Sequence, residues 1–115
     1  MQRNFRLTRS TDFKRVRRNG KSYAHPLLVL IAIENEHSIS TTRVGVAAGR
    51  SVGNAVKRNR AKRLIRAAAR ELYPQIKSGY DFVLIARAPI IQVKMPVVRT
   101  ALQELLLRAS LHENV

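Results

Sequence analysis

The chain has 115 residues and carries 22 Lys and Arg against 7 Asp and Glu, a formal net charge of +15. This length allows a single domain, residues 1–115, with one modest core. The absence of cysteine excludes disulfides, zinc fingers and thiol nucleophiles. No stretch approaches twenty apolar residues and the first residues lack the apolar run of a signal peptide, so we expect a cytoplasmic protein with no membrane partner.

The chain begins with a basic segment that predicts a short helix. The helix is expected over residues 9–18, with Thr8 or Ser10 as its N-cap, Phe13 on its apolar side and Asn19-Gly20 at its end. Its other surfaces are basic. The cations concentrated in this part of the chain are Arg3, Arg6, Arg9, Lys14, Arg15, Arg17, Arg18 and Lys21.

Two strands are expected next. Residues 27–33 follow Pro26 and consist mainly of branched apolar side chains, which predicts a well-buried strand. Residues 34–42 are polar and predict a loop. Residues 43–48 predict a second strand, which is most simply paired antiparallel with the first.

A strongly basic helix is expected in the middle of the chain. Residues 49–54 break the second strand, Ser51 or Asn54 can cap the helix, and Pro74 ends it after Tyr73. At about 100° per residue, one side forms an apolar stripe of Ala61, Leu64, Ile65, Ala68 and Leu72. The remaining surface, called here the basic face, comprises Lys57, Arg58, Asn59, Arg60, Lys62, Arg63, Arg66 and Arg70.

The basic face has no acid of its own before Glu71. Like charges four residues apart on a helix repel by a few tenths of a kcal/mol per pair, whereas solvated helix faces normally mix signs. A surface of this kind is typical of binding to a phosphate backbone. Arginine also outnumbers lysine here, and its planar fork can bind phosphate in two places.

The last part of the chain predicts one strand and one helix. The strand is expected at residues 80–86 and the helix at residues 95–110, with Pro96 in its first turn. The side chains expected on the buried side of this helix are Val98, Leu102, Leu105, Leu106 and Ala109. The order α-β-β-α-β-α predicts an α+β fold, a small two-layer sandwich.

The sequence offers no recognisable catalytic constellation. The histidines His25, His37 and His112 are isolated from one another. The seven acids also form no close ligand motif: Asp12, Glu34, Glu36, Glu71, Asp81, Glu104 and Glu113. Asp81 can bind a metal or pair with an arginine, and pairing is favoured in so basic a chain. We therefore expect the protein itself to bind no metal or other cofactor.

Two segments carry a specific signature. Residues 43–46, Arg-Val-Gly-Val, and residues 53–66, Gly-Asn-Ala-Val-Lys-Arg-Asn-Arg-Ala-Lys-Arg-Leu-Ile-Arg, closely resemble the RNR motif of the protein subunit of bacterial ribonuclease P. The resemblance extends in register from Asp12-Phe13 to residues 81–87 and the last helix. It implies a fold like the second domain of ribosomal protein S5, in which a left-handed crossover joins two parallel strands through the basic helix.

The resemblance also implies a function. In this family the holoenzyme removes the 5′ leader of precursor tRNA, and its RNA subunit performs the Mg²⁺-dependent hydrolysis. The protein would be an accessory subunit that is inactive alone, is a monomer by itself, and binds ribonuclease P RNA and precursor tRNA but not DNA. The basic face would contact the catalytic RNA.

The resemblance implies a second contact, with the single-stranded leader, in a cleft between the first helix and the sheet. The positions expected there are Phe13, Lys14, Arg17, Ile31 and Arg43. Arg17 and Ile31 stand where some relatives have aromatic residues, so this contact would depend more on charge and less on base stacking. Phe13 has a second interpretation, which is core packing against Val16.

Two other functions remain open at this stage. A small ribosomal protein that only scaffolds RNA would have the same size, composition and basic helix, and only the motif argues against it. A nuclease that acts without an RNA subunit is disfavoured by the lack of a carboxylate cluster.

Overall fold

The computed structural model describes residues 6–35 and 41–112. Arg3, Glu113 and the loop residues Glu36 and His37, all named above, lie outside the described residues. The helices and strands are α1 (Ser10–Asn19), β1 (Lys21–Ala24), β2 (Leu28–Glu34), β3 (Arg43–Ala48), α2 (Ala55–Leu72), β4 (Tyr80–Ala86) and α3 (Met95–Arg108). Within the described parts, no helix is both long and apolar enough to cross a bilayer.

The strands form one sheet in the order β1-β2-β4-β3. β4 pairs antiparallel with β2 and parallel with β3, so that Val83 lies beside Ile31 on one side and Gly45 on the other. The predicted pairing of β2 with β3 is therefore wrong. β4 separates them because its run from Asp81 to Leu84 is buried on both faces, which requires a central position.

The parallel pair β3 and β4 is connected through α2, as the resemblance implied. The left hand of this crossover stays a prediction. The α+β class is confirmed, with one strand more than expected: β1 has four mostly exposed residues and no apolar alternation, so it gave no hydrophobic signal.

Two helix starts were predicted from capping residues, with different outcomes. α1 begins after Arg9, which makes no side-chain capping bond, so the prediction of Thr8 or Ser10 is wrong. Ser10 is already the first helical residue, because Arg9 is the last residue in the extended conformation. Asn54 is the N-cap of α2, and its side-chain oxygen accepts a hydrogen bond of 3.0 Å from the Lys57 amide.

The two faces of the sheet are covered by different helices and contribute to two separate apolar clusters. On one face α2 and α3 cover the larger core, to which the stripe of α2 contributes four buried residues and the half-buried Leu64. α1 lies on the opposite face, where Leu7, Val16, Ile31 and Val83 form a smaller cluster. The two-layer description thus applies to the sheet with α2 and α3, and α1 adds a helix on the other face.

Candidate nucleic-acid interface

The basic face of α2 is directed outward, as the helical wheel predicted. Ala61, Ile65 and Ala68 are fully buried beneath the helix, which fixes its orientation. Of the basic face, Lys57, Asn59, Arg60, Arg63 and Arg70 are exposed and Arg58, Lys62 and Arg66 are half-buried. Among the described residues, none of its cations forms an ion pair. Glu71, the acid nearest in sequence, pairs instead with Arg99 of α3 at 3.1 Å.

The start of α2 is built by two local features. Gly53 has φ of 135°, a conformation that L side chains rarely adopt, and an added Cβ would lie 2.6 Å from Cδ of Lys57. Asn54 then caps the helix. The first turn carries no acid but does carry a cation, which the helix dipole disfavours. A phosphate near this end would offset that repulsion and complement the free N–H groups.

One flank of the basic face lies toward β3, the edge strand. Tyr73 follows Arg66 by two helical turns on the same side, and its hydroxyl donates a hydrogen bond of 2.5 Å to the Thr42 carbonyl, directly before β3. Burial raises the pKa of the Tyr73 hydroxyl, which keeps it protonated as a donor. The half-buried Arg58 and Lys62 share this flank, and Nη1 of Arg58 donates a hydrogen bond of 3.3 Å to the Gly53 carbonyl at the start of the helix.

The resemblance implies a cleft on the opposite face of the sheet, beside α1. The strand register places Val29, Ile85 and Ala47 in one row across β2, β4 and β3, and all three are only half-buried. The next row, which contains Gly45, is covered by α1. Gly45 lies under the ring of Phe13, and a Cβ atom added to Gly45 would be 2.7 Å from Cζ of that ring. Glycine is needed here for this close approach.

The wall of the cleft is one flank of α1. Arg15 reaches Asp81, at the covered end of the sheet face. Phe13 and Arg17 are each two residues from Arg15 and therefore about 160° from it around the helix. They accordingly lie on the flank of α1 opposite Arg15. Phe13 is half-buried and Arg17 is exposed.

The other predicted leader positions lie elsewhere. Lys14 is exposed on the outer surface of α1, in a shallow concavity with Arg15 and Arg18. Ile31 is 8% exposed and belongs to the small core beneath α1. Arg43 is held by Asp81. Of the five predicted leader positions, the structure thus places only Phe13 and Arg17 on the same flank of α1, and leader binding by all five stays a prediction.

Asp81 is a fully buried carboxylate that binds two arginines. Arg43 donates to it through Nε and Nη2, at 2.9 and 2.7 Å, and Arg15 donates at 2.5 Å. Asn35 adds a fourth hydrogen bond at 2.9 Å. Burial by itself would raise the pKa of Asp81, but the bonds from Arg43 and Arg15 hold it below its usual value.

The expected pairing of Asp81 with arginine is confirmed. Its position on an otherwise apolar face of β4 required a cationic partner. The sequence did not single out Arg15, because several arginines of α1 are equally near in the chain. In the part of the chain that the structure describes, no three His, Cys, Asp or Glu residues are grouped to hold a metal ion.

Known proteins resemble this chain in sequence and in fold. The Ribonuclease P family model matches residues 1–110. The "Ribonuclease P protein component" of Clostridium novyi is 38% identical over 97% of this chain and 99% of its own length. The protein of the same name from Roseiflexus castenholzii is 41% identical over 95% of this chain and 88% of its own length.

Solved structures agree with these sequence matches. The Staphylococcus aureus RNase P protein superimposes with a TM-score of 0.82 at 28% identity, covering 95% of this chain and 98% of that one. The Thermotoga maritima RNase P protein gives a TM-score of 0.78 at 31% identity, with coverage of 90% and 96%. The match thus extends over both the basic face and the cleft, and the chain belongs to the bacterial ribonuclease P protein family.

Proposed function

We propose that this chain binds the RNA subunit of ribonuclease P through the basic face and the 5′ leader of precursor tRNA in the cleft beside α1. In this role it assists endonucleolytic removal of the leader and formation of the mature 5′ end of tRNA. The proposal rests above all on one observation: seven cations on one helix face have no acidic partner among the described residues. A polyanion can supply the neutralising charge.

The proposal assigns the chemistry of hydrolysis to the RNA subunit. The buried Asp81 is occupied by Arg15 and Arg43. Asp12 lies 3.5 Å from the same Arg15, whereas Glu71 and Glu104 lie apart on α2 and α3, and no three described acids or histidines are grouped to hold a metal ion. The Mg²⁺ ions of the reaction would then be held by RNA, with the cations of α2 ordering nearby phosphates. The protein alone would be a catalytically inactive monomer.

The cleft suits a single strand rather than a duplex. Its floor, Val29, Ile85 and Ala47, is apolar and only half-buried, and its wall offers one aromatic ring and one guanidinium. Such a surface can accept the flat faces of unpaired bases, with Arg17 available for a phosphate. The contribution of stacking here is limited to Phe13, since the position one turn later is a cation.

Both surfaces border the edge strand β3. β3 contributes Ala47 to the floor of the cleft, and the flank of α2 with Arg66 lies toward this strand. An RNA bound on the basic face would therefore approach a leader held in the cleft. This proximity explains how one small protein could bring a substrate to an RNA catalyst.

Reconstitution tests this function. Purified protein is incubated with precursor tRNA at low magnesium, with and without a bacterial ribonuclease P RNA, and production of the mature 5′ end is measured. We expect no cleavage by the protein alone and strong stimulation of the RNA. Cleavage by the protein alone would support a nuclease, and binding of the RNA without stimulation would support a scaffold protein; either result would refute the proposal.

A further inference from the structure

α1 is held at both of its ends by strand pairing. Before the helix, the Leu7 amide donates a hydrogen bond of 2.9 Å to the Val44 carbonyl at the edge of β3. After the helix, only Gly20 separates it from β1, which is paired with β2. With its ends fixed, the rotation of the helix about its own axis is set by its side-chain contacts, which are the packing of the buried Val16 and the bond of Arg15 to the sheet.

A small rotation would matter for the cleft. Side chains extend about 5 to 6 Å from a helix axis, so a turn of about 20° displaces them by about 2 Å. The Phe13 ring lies in close contact with Gly45, and a displacement of this size would break that contact. It would also redirect Arg17 relative to the apolar floor.

Arg15 is placed to prevent this rotation. Its guanidinium lies 2.5 Å from Asp81 Oδ2 and is only 19% exposed, on the flank opposite Phe13 and Arg17. Its other acid, Asp12 at 3.5 Å, belongs to α1 itself and therefore cannot hold the helix against the sheet. Asp81 is itself fixed, because it is fully buried and bound to Arg43 and Asn35. The carboxylate is therefore a rigid anchor for the helix.

We propose that Arg15 is a positioning residue for the leader strand: by binding Asp81 it sets the rotation of α1, and so directs Phe13 and Arg17 into the cleft. This inference rests on the proposed function of the cleft, and it adds the element that orients the cleft wall. Arg15 would not touch the leader.

The first test measures helix rotation in the free protein. The nuclear Overhauser effect between the Phe13 ring and the Gly45 Hα protons reports their contact. Arg15→Met should weaken it strongly, and Arg15→Lys should retain part of it. Arg18→Met removes the same charge from the same helix without touching Asp81 and should preserve the contact. Asp81 keeps Arg43 in every variant, so the fold is expected to persist.

The second test measures the effect on the leader with the reconstituted holoenzyme. Arg15→Met should weaken binding of precursor tRNA by about tenfold, the scale of one lost stacking contact, and leave binding of leaderless tRNA unchanged. Arg18→Met should have a much smaller effect on the ratio of the affinities for precursor tRNA and leaderless tRNA. An unaltered Phe13 to Gly45 contact in Arg15→Met, or equal losses in the two variants, would overturn the inference. A wild-type holoenzyme that does not distinguish the two tRNAs would refute the proposed cleft function instead, and the contact measurement would still decide what Arg15 does.

Discussion

Removal of two cations from the basic face should change the salt dependence of RNA binding by a calculable amount. Seven cations that each neutralise one phosphate give a slope of log affinity against log salt of about −5 to −6. Affinity should then fall about 1,000- to 4,000-fold over a fourfold rise in salt. With Arg60→Ala and Arg63→Ala combined, the magnitude of the slope should decrease by about 1.4 to 1.8. The same fourfold rise in salt should then lower the affinity only about 130- to 500-fold.

The double variant should fold as well as the wild type. Both side chains are exposed and make no ion pair with a described acid, so the free energy of unfolding should change by less than about 0.5 kcal/mol. The assay is equilibrium binding of the ribonuclease P RNA at four salt concentrations, with urea unfolding in parallel. A matched control is Lys94→Ala with Arg108→Ala at the two ends of α3, which removes the same charge from another surface and breaks no ion pair with a described acid. An equal change of slope in the control, or an unchanged slope in the test variant, would refute the assignment of the basic face.

Three further outcomes are expected. Asn54→Ala should lower the free energy of unfolding by about 1 kcal/mol and Tm by about 4 °C, measured by calorimetry, because the cap of α2 is lost. Phe13→Leu keeps an apolar side chain over Gly45 but removes the ring, so leader affinity should fall by about 1 to 3 kcal/mol with little loss of stability; the opposite pattern would mean that Phe13 only packs. The pKa of Asp81 in the folded protein is below its ordinary value of 3.8. Its ion pairs therefore stabilise the fold fully above about pH 5. This stabilisation decreases as the pH drops through 3.8 and is lost below the pKa of the folded state. In urea unfolding between about pH 2 and pH 7, Asp81→Asn should lack this part of the acid dependence, and a variant that follows the wild-type curve would contradict the role of the buried carboxylate.

The elements with strong periodicity were predictable from the sequence, and the pairing of strands was not. The stripe that includes Ala61 and Ile65 oriented α2 correctly, because 3.6-residue periodicity is a local property. The central position of β4 depends on non-local burial, which adjacent strands in the sequence do not reveal. β1 was missed because an edge strand with exposed side chains has no apolar pattern.

The candidate site also has a part that the sequence predicts and a part that depends on the fold. The basic face could be read from composition and spacing alone, and Phe13 could be placed by resemblance. The apolar floor of the cleft could not, because Val29, Ile85 and Ala47 come together only through the register of three strands. The same register places Arg43 beside Asp81, and the packing of α1 on the sheet adds Arg15.

Site-specific crosslinking tests the central claim, that the two surfaces bind two different RNAs. The chain contains no cysteine, so Asn59→Cys on the basic face and Ala47→Cys in the cleft each provide one site for a photoreactive group. In the holoenzyme with precursor tRNA, we expect the Asn59→Cys variant to crosslink to the RNA subunit and the Ala47→Cys variant to crosslink to the 5′ leader. Crosslinks from the cleft to the RNA subunit alone, or from the basic face to the leader, would contradict this account.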